Sequence, residues 1–338
     1  MEHFFLAKDR LNEFLSALQN YEVFAPVRKE GLAVFELITN PQEAMIDLKN
    51  QPHPPKRLIF PQTEIFFVFD KNNAIKEPKG RDGQKQQIVF GVRPCDARGF
   101  HLIDPVFEKD YPDSYYLDKR QSTFLVGIHC AEPYLNCFCT SVGGNPSSSE
   151  GLDILLMDLG EQYFLEVFTS KGEQLAKEAA AVLSPHTSQQ QNEKEKLSGM
   201  ASQKIRRTID VDGIGSKIEK HFDHSIWKEL SEKCISCGIC TYTCPTCHCF
   251  DIQDERIRGR SNRMRIWDSC MFPEYTLHAS GHNPRPTRAE RLRNRMYHKF
   301  KQNIELYGVP GCVGCGRCIT LCPENVDLVE NLQVIKSL

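Results

Sequence analysis

Cys234-Ile-Ser-Cys237-Gly-Ile-Cys240-Thr-Tyr-Thr-Cys244-Pro245 and Cys312-Val-Gly-Cys315-Gly-Arg-Cys318-Ile-Thr-Leu-Cys322-Pro323 share one spacing, C-x2-C-x2-C-x3-C-P. It is the bacterial ferredoxin spacing for [4Fe–4S] clusters. The short gaps let a tight loop carry three thiolates to three corners of a cubane, and the proline after the fourth cysteine ends the loop. In two-cluster proteins that fourth cysteine serves the other cluster. The expected ligand sets are therefore Cys234, Cys237, Cys240 and Cys322 for one cluster, and Cys312, Cys315, Cys318 and Cys244 for the second. Gly238, Gly314 and Gly316 suit loops whose backbone N–H groups approach cluster sulfurs.

Other cysteine chemistries fit this pattern less well. Zinc sites use paired C-x2-C units with four ligands per ion. Disulfide frameworks belong to oxidising compartments, and the chain has fifteen cysteines, an odd number. Cys240-x3-Cys244-x2-Cys247 reproduces a spacing associated with radical adenosylmethionine enzymes. The residues after it, however, form an arginine-rich stretch and a second ferredoxin run, not a barrel.

Outward from the two runs, 338 residues allow two or three domains. Hydrophobic content of 40% and charged content of 25% are those of ordinary globular protein. A net charge of −2 gives no global drive toward nucleic acid or anionic membrane. Apolar runs such as Ile65–Phe69 fall far short of the ~20 residues that span a bilayer. The first ten residues lack a basic region followed by an apolar core, so a reducing cytoplasm is the expected compartment.

The expected fold class is α+β: an N-terminal α/β domain, then a helical two-cluster ferredoxin-like domain with a large insertion between its cysteine runs. Boundaries are read at 1–183 for the α/β domain, 184–205 for a polar linker and 206–338 for the cluster domain, with a basic insertion at 251–305. Leu6–Leu18 has helical apolar spacing. Leu32–Leu37, Glu64–Phe69, Gln87–Val92, Thr123–Ile128, Asp153–Met157 and Tyr163–Phe168 read as strands. Asp96–Val106, Glu173–Leu183 and Gly215–Lys233 read as helices.

Four further cysteines, Cys95, Cys130, Cys137 and Cys139, fall at or just after predicted strand ends. Strand ends converge at the ligand-binding edge of an α/β sheet, so these four form a candidate third [4Fe–4S] site. The alternative is four small buried thiols in a core. Cys247, Cys249 and Cys270 remain over, either as thiols packed near the clusters or as ligands of an atypical one. Glu255–Lys301 holds twelve Lys/Arg, among them Arg256, Arg258, Arg265, Arg291 and Arg295, against four Asp/Glu. This stretch fits a solvated helical face, a docking surface for an acidic partner, or charge compensation beside anionic clusters. Nucleic-acid binding is the weaker alternative, because aromatic interleaving is thin. No G-x-G-x-x-G follows a strand, and no phosphate loop is present. The chain thus reads as an internal wire whose substrate chemistry lies on other subunits, with no catalytic residue of its own and little expected turnover in isolation.

Cys244-Pro-Thr-Cys-His-Cys-Phe250, Trp267-Asp-Ser-Cys270, Gly311-Cys-Val-Gly-Cys-Gly-Arg-Cys318, Gly91-Val-Arg-Pro-Cys-Asp96 and Asn136-Cys-Phe-Cys139 carry a resemblance. The chain resembles the family of iron–sulfur subunits shared by anaerobic sulfite reductase and by sulfhydrogenase, a NiFe hydrogenase in which it is the beta subunit. That resemblance implies a ferredoxin-reductase-like partner subunit binding flavin and NAD(P)H. It also implies a catalytic partner of hydrogenase, sulfite reductase or heterodisulfide-reductase-like type. The terminal acceptor, the choice of NADH or NADPH and the cluster potentials stay open at this level.

Overall fold

The computed structural model describes residues 2–46, 51–69, 75–76, 85–185, 188–257 and 260–338. Arg258 of the basic stretch and His186 and Thr187 of the polar segment lie outside the described residues. The described chain mixes helix and sheet, and it divides into two compact units that interleave in sequence. The first comprises residues 1–55, 85–208 and 313–316, and the second residues 56–84, 209–312 and 317–338.

Among the described residues the strands are β1 (Glu2–Ala7), β2 (Glu22–Lys29), β3 (Leu32–Leu37), β4 (Thr63–Phe69), β5 (Ile75–Lys76) and β6 (Gln87–Val92), then β7 (Thr123–Ile128), β8 (Ile154–Asp158), β9 (Gln162–Val167), β10 (Ser184–Pro185), β11 (Phe250–Ile257) and β12 (Arg260–Trp267). The first unit is built on a sheet of order β10-β1-β9-β8-β7-β6-β2-β3. Its centre is parallel, with β2 beside β6, β6 beside β7 and β7 beside β8. Both β6 and β7 are buried along their whole length. Their sequences, Gln-Ile-Val-Phe-Gly-Val and Thr-Phe-Leu-Val-Gly-Ile, are the near-continuous apolar runs that strands covered on both faces require.

Parallel pairing puts the C-terminal ends of β6 and β7 on one sheet edge, with Val92 opposite Gly127. Cys95 follows β6 in the first turn of the helix Pro94–Glu108, where proline is well placed because its missing N–H has no intrahelical partner anyway. Cys130 follows β7 by two residues. The topology thus delivers two thiols to one corner before any loop is considered.

The second unit joins short helices to a sheet of order β11-β12-β4-β5. Its apolar centre includes Trp227, Leu292, Met296, Phe300 and Leu332. The hairpin β11–β12 comes from the basic insertion and pairs antiparallel with β4. Arg265 of β12 is fully buried, ion-paired with Glu64 of β4 and lying against Phe60, Phe66 and Phe250. Glu64–Phe69 is therefore a strand, as its composition suggested, but it belongs to the cysteine-rich unit's sheet.

Two other stretches differ from expectation. Leu6 is a buried residue of β1, paired opposite Tyr163, and the helix begins only at Leu11. The apolar repeat ran across a strand and a helix that share one core, so it looked like a single helix. Ser188–Gln203 is helical, and Lys194 of that helix pairs with Glu166 at 2.8 Å.

The helix Arg288–Tyr297 opens with a capping box: the Thr287 N–H donates to Glu290 Oε2 at 2.7 Å, and the Thr287 hydroxyl accepts from the N3 backbone. It continues through a π-helical turn, His298–Gln302, into Asn303–Tyr307. Thr287→Ala is expected to cost about 1 kcal/mol, readable as a lowered denaturation midpoint. An unchanged midpoint would show that this start is not held by its cap.

Candidate metal centres

In the first unit a cavity of about 480 Å³ opens at the sheet edge. Cys95, Cys130, Cys137 and Cys139 line it, so the four thiols expected to form a third site do share one wall system, and Cys315 joins them. The loop of Cys137 and Cys139 is pinned against the second cysteine run. The Phe138 N–H donates to the Gly314 carbonyl at 2.8 Å, and the Cys137 thiol lies 3.5 Å from the Cys315 carbonyl. Gly314 and Gly316 have φ of 66° and 72°. A Cβ on Gly314 would stand 2.5 Å from Cys139 Cα, and one on Gly316 would stand 2.3 Å from the Asn136 carbonyl oxygen. Only glycine permits this approach in that conformation.

Burial, reinforced by neighbouring cysteines, pushes Cys137 and Cys139 up to about 12. As bare thiols they stay protonated at neutral pH, whereas coordination to a metal deprotonates them outright. Arg93 and Arg98 line the same cavity, both buried. The Arg98 guanidinium donates to the Val142 carbonyl at 2.6 Å and pairs with Glu150 at 2.9 Å.

In the second unit a cavity of about 550 Å³ is lined by Cys234, Cys237, Cys240 and Cys322, the whole of the first expected ligand set, together with Cys318. The loop bends through Ser236 and Gly238, with φ of 58° and 75°. Two backbone N–H groups point at sulfur: Ser236 at Cys234 Sγ, 3.4 Å, and Val326 at Cys322 Sγ, 3.3 Å. Such bonds help set the potential of a bound cluster.

The helix from Arg288 onward runs along this loop as a cationic rail. Arg288 donates to the Cys234 carbonyl at 3.3 Å, Arg291 to Ser236 Oγ at 3.1 Å and Arg295 to the Cys240 carbonyl at 2.9 Å. Lys299 follows at 3.5 Å from Cys244 Sγ. These positions are three or four residues apart, so they lie on one helix face. Arg291, Arg295 and Lys299 are all buried. The basic stretch thus turns this face inward. Against the pull of desolvation, the sulfurs of Cys244 and Cys247 raise Lys299 above its ordinary value.

Of the second expected set, Cys244 and Cys312 are buried near Lys299, Cys318 lines the 550 Å³ cavity, and Cys315 lines the one at the sheet edge. A further cavity of about 340 Å³ in the second unit is lined by Cys247, Cys249 and Cys270, with His248, Arg295, His298 and Lys299.

All fifteen cysteines are free thiols. Among the described residues no three His, Cys, Asp or Glu side chains form a group that could hold a single metal ion. The fit to a polynuclear group rests on the cavities. Thiols reach in from separate segments, glycine loops leave room where a Cβ would collide, and cations stand behind the sulfurs. These features suit a group that brings its own iron and sulfide and carries net negative charge through its thiolates. The inward cationic face was missed in the sequence, although the spacing of Arg291, Arg295 and Lys299 on a helix next to cysteine loops was a usable signal.

Comparison with known proteins agrees with this geometry. A family model described as a 4Fe-4S dicluster domain matches residues 233–326, which makes the chain an iron–sulfur protein. Sulfhydrogenase 2 subunit beta of Pyrococcus furiosus is 31% identical over 338 residues, covering 99% of this chain and 99% of that protein. The chain belongs to the sulfhydrogenase beta-subunit family. No solved structure matches it. Among the described residues no helix is long and apolar enough to cross a membrane.

Proposed function

We propose that this chain is the electron-transfer subunit of a sulfhydrogenase-type complex, relaying single electrons between a flavin- and NAD(P)H-binding partner and a catalytic partner. The observation that carries the reading is the meeting of Cys234, Cys237, Cys240 and Cys322, from runs far apart in sequence, around one cavity. Cross-run sharing of the fourth cysteine is what a two-cluster ferredoxin-type domain requires. Cys312, Cys315, Cys318 and Cys244 are assigned to the second [4Fe–4S] cluster, and Cys95, Cys130, Cys137 and Cys139 to a third. The name of the Pyrococcus furiosus relative, a sulfhydrogenase subunit, supports the catalytic partner. The flavin partner rests on family resemblance. A reducing cytoplasm is the compartment this chemistry suits.

The clusters supply reversible one-electron chemistry when bound. The protein's part is to hold the thiolates, exclude water and set the electrostatic field. Lys299 is buried, and its amino group contacts Cys244 Sγ, Thr246 Oγ1 and the Gly311 carbonyl. Its charge favours the more negative, reduced state of a neighbouring cluster. At roughly 6 Å and an effective dielectric of about 20, one charge is worth about 3 kcal/mol, on the order of 100 mV. Lys299→Met is therefore expected to move one cluster's potential about that far in the negative direction. A redox titration followed by EPR measures it, and an unmoved potential would refute the role given to Lys299.

The experiment for the function is anoxic purification of the native complex with identification of co-eluting subunits, then reduction of the bound clusters by NADH, NADPH or hydrogen. Isolation as a lone chain whose clusters none of these donors reduces would contradict the proposal.

A further inference from the structure

Cys247, Cys249 and Cys270 have no place in the two ferredoxin-type ligand sets or in the sheet-edge set. They nevertheless line one cavity of about 340 Å³, wholly within the second unit. Cys247 and Cys249 flank His248 in the segment entering β11. Cys270 comes from the segment after β12, and the ladder between these strands brings the two ends together: Phe250 is opposite Trp267, and the Asp268 N–H donates to the Cys249 carbonyl at 3.0 Å. The hairpin thus closes a ring of three thiols from two segments.

The charge around this cavity is the second, independent observation. Arg295 and Lys299 line it, and Lys56 reaches the Cys247 carbonyl at 2.7 Å while lying 4.1 Å from the Trp267 ring centroid. All three cations are buried. Arg295 touches Cys247 Sγ at 3.4 Å and the Cys240 carbonyl. Lys299 touches Cys244 Sγ, Thr246 Oγ1 and the Gly311 carbonyl. Among the described residues none of the three pairs with a carboxylate. Buried charge without an opposite partner is strongly unfavourable, so negative charge belongs on the sulfurs they surround. A single cluster shared with Cys240 and Cys244 accounts for the contacts of Arg295 and Lys299 with those residues. It leaves Lys56, and the Arg295 contact to Cys247, without a counter-charge.

We infer that Cys247, Cys249 and Cys270 hold a further iron–sulfur cluster through three thiolates, with Lys56, Arg295 and Lys299 as its buried counter-charge. The fourth corner falls to a donor other than cysteine. Cys247 is only three residues beyond Cys244, so this centre adjoins the second ferredoxin-type cluster and forms a side branch of the wire. The inference rests on the reading of the chain as an iron–sulfur protein.

The test compares the full-length chain, loaded with iron and sulfide under anoxic conditions, with the triple variant C247A/C249A/C270A. Iron and sulfide are assayed per folded chain, and EPR and Mössbauer spectra are recorded. The expected result is a loss of roughly four irons per chain and of one spectral component, with the remaining components intact. Cys270→Ser alone, a milder change should the triple variant fail to fold, is expected to shift that component's g-values or reduce its occupancy. A folded variant with the parent's iron content and spectrum overturns the inference while leaving the proposed function standing. A parent chain without iron overturns both.

Discussion

Cys240→Ser removes roughly four irons per chain and interrupts electron flow through the protein. Cys240 lines the 550 Å³ cavity with Cys234, Cys237 and Cys322, and Arg295 fixes its backbone by donating to its carbonyl at 2.9 Å. Serine keeps the shape but offers a hydroxyl that does not give up its proton as readily as a metal-bound thiol. The loss is expected to be specific. Iron held by Cys95, Cys130, Cys137 and Cys139 belongs to another unit and should remain, so the variant keeps a reduced but non-zero iron content. Iron and sulfide assays with EPR of the reduced protein check this, and a variant with the parent's iron content and full electron transfer would refute the ligand assignment.

Gly314→Val is expected to be the most damaging change outside the cysteines. The left-handed backbone, φ 66°, costs a branched residue about 1–2 kcal/mol. The new Cβ would also lie 2.5 Å from Cys139 Cα and 2.6 Å from Cys139 N. Backbone atoms have no rotamer to escape into, so overpacking adds about 1–3 kcal/mol or more. The collision falls on the loop that carries Cys137 and Cys139. Cluster content at the sheet edge should therefore fall along with stability. Gly31 is the control: its φ is 79°, and nothing lies within 4 Å of where a Cβ would stand. Gly31→Ala should cost only the backbone term, about 1 kcal/mol, and leave iron unchanged. Equal effects of the two substitutions in thermal melts and iron assays would contradict the close-approach argument.

Much of this was legible in the sequence because the strongest signals are local. The cysteine spacing follows from the size of the loop that wraps a cubane, and the apolar runs of β6 and β7 follow from burial on both faces. The corner holding Cys95 and Cys130 was legible too, since parallel strands end on a common edge. The hidden part depends on tertiary placement. Glu64–Phe69 carries no mark saying which sheet it joins. The fate of Arg265 as a buried partner of Glu64 is settled only once β4 and β12 pair. The arginines of the helix Arg288–Tyr297 look solvated by composition. Only their position along the Cys234–Cys247 segment turns one face of them into counter-charge. The mixed repeat from Leu6 to Leu18 shows the same limit from the other side, because a strand and a helix feeding one core can imitate a single periodic element.

The central claim is that widely separated thiols of this chain grip iron–sulfur cubes that carry electrons. Mössbauer spectroscopy of the iron-57-enriched chain, purified without oxygen and with full iron and sulfide supply, tests it most directly. The account predicts [4Fe–4S] signals with at least roughly eight irons per chain, reducible one electron at a time. A folded, colourless chain without iron under those conditions would contradict it.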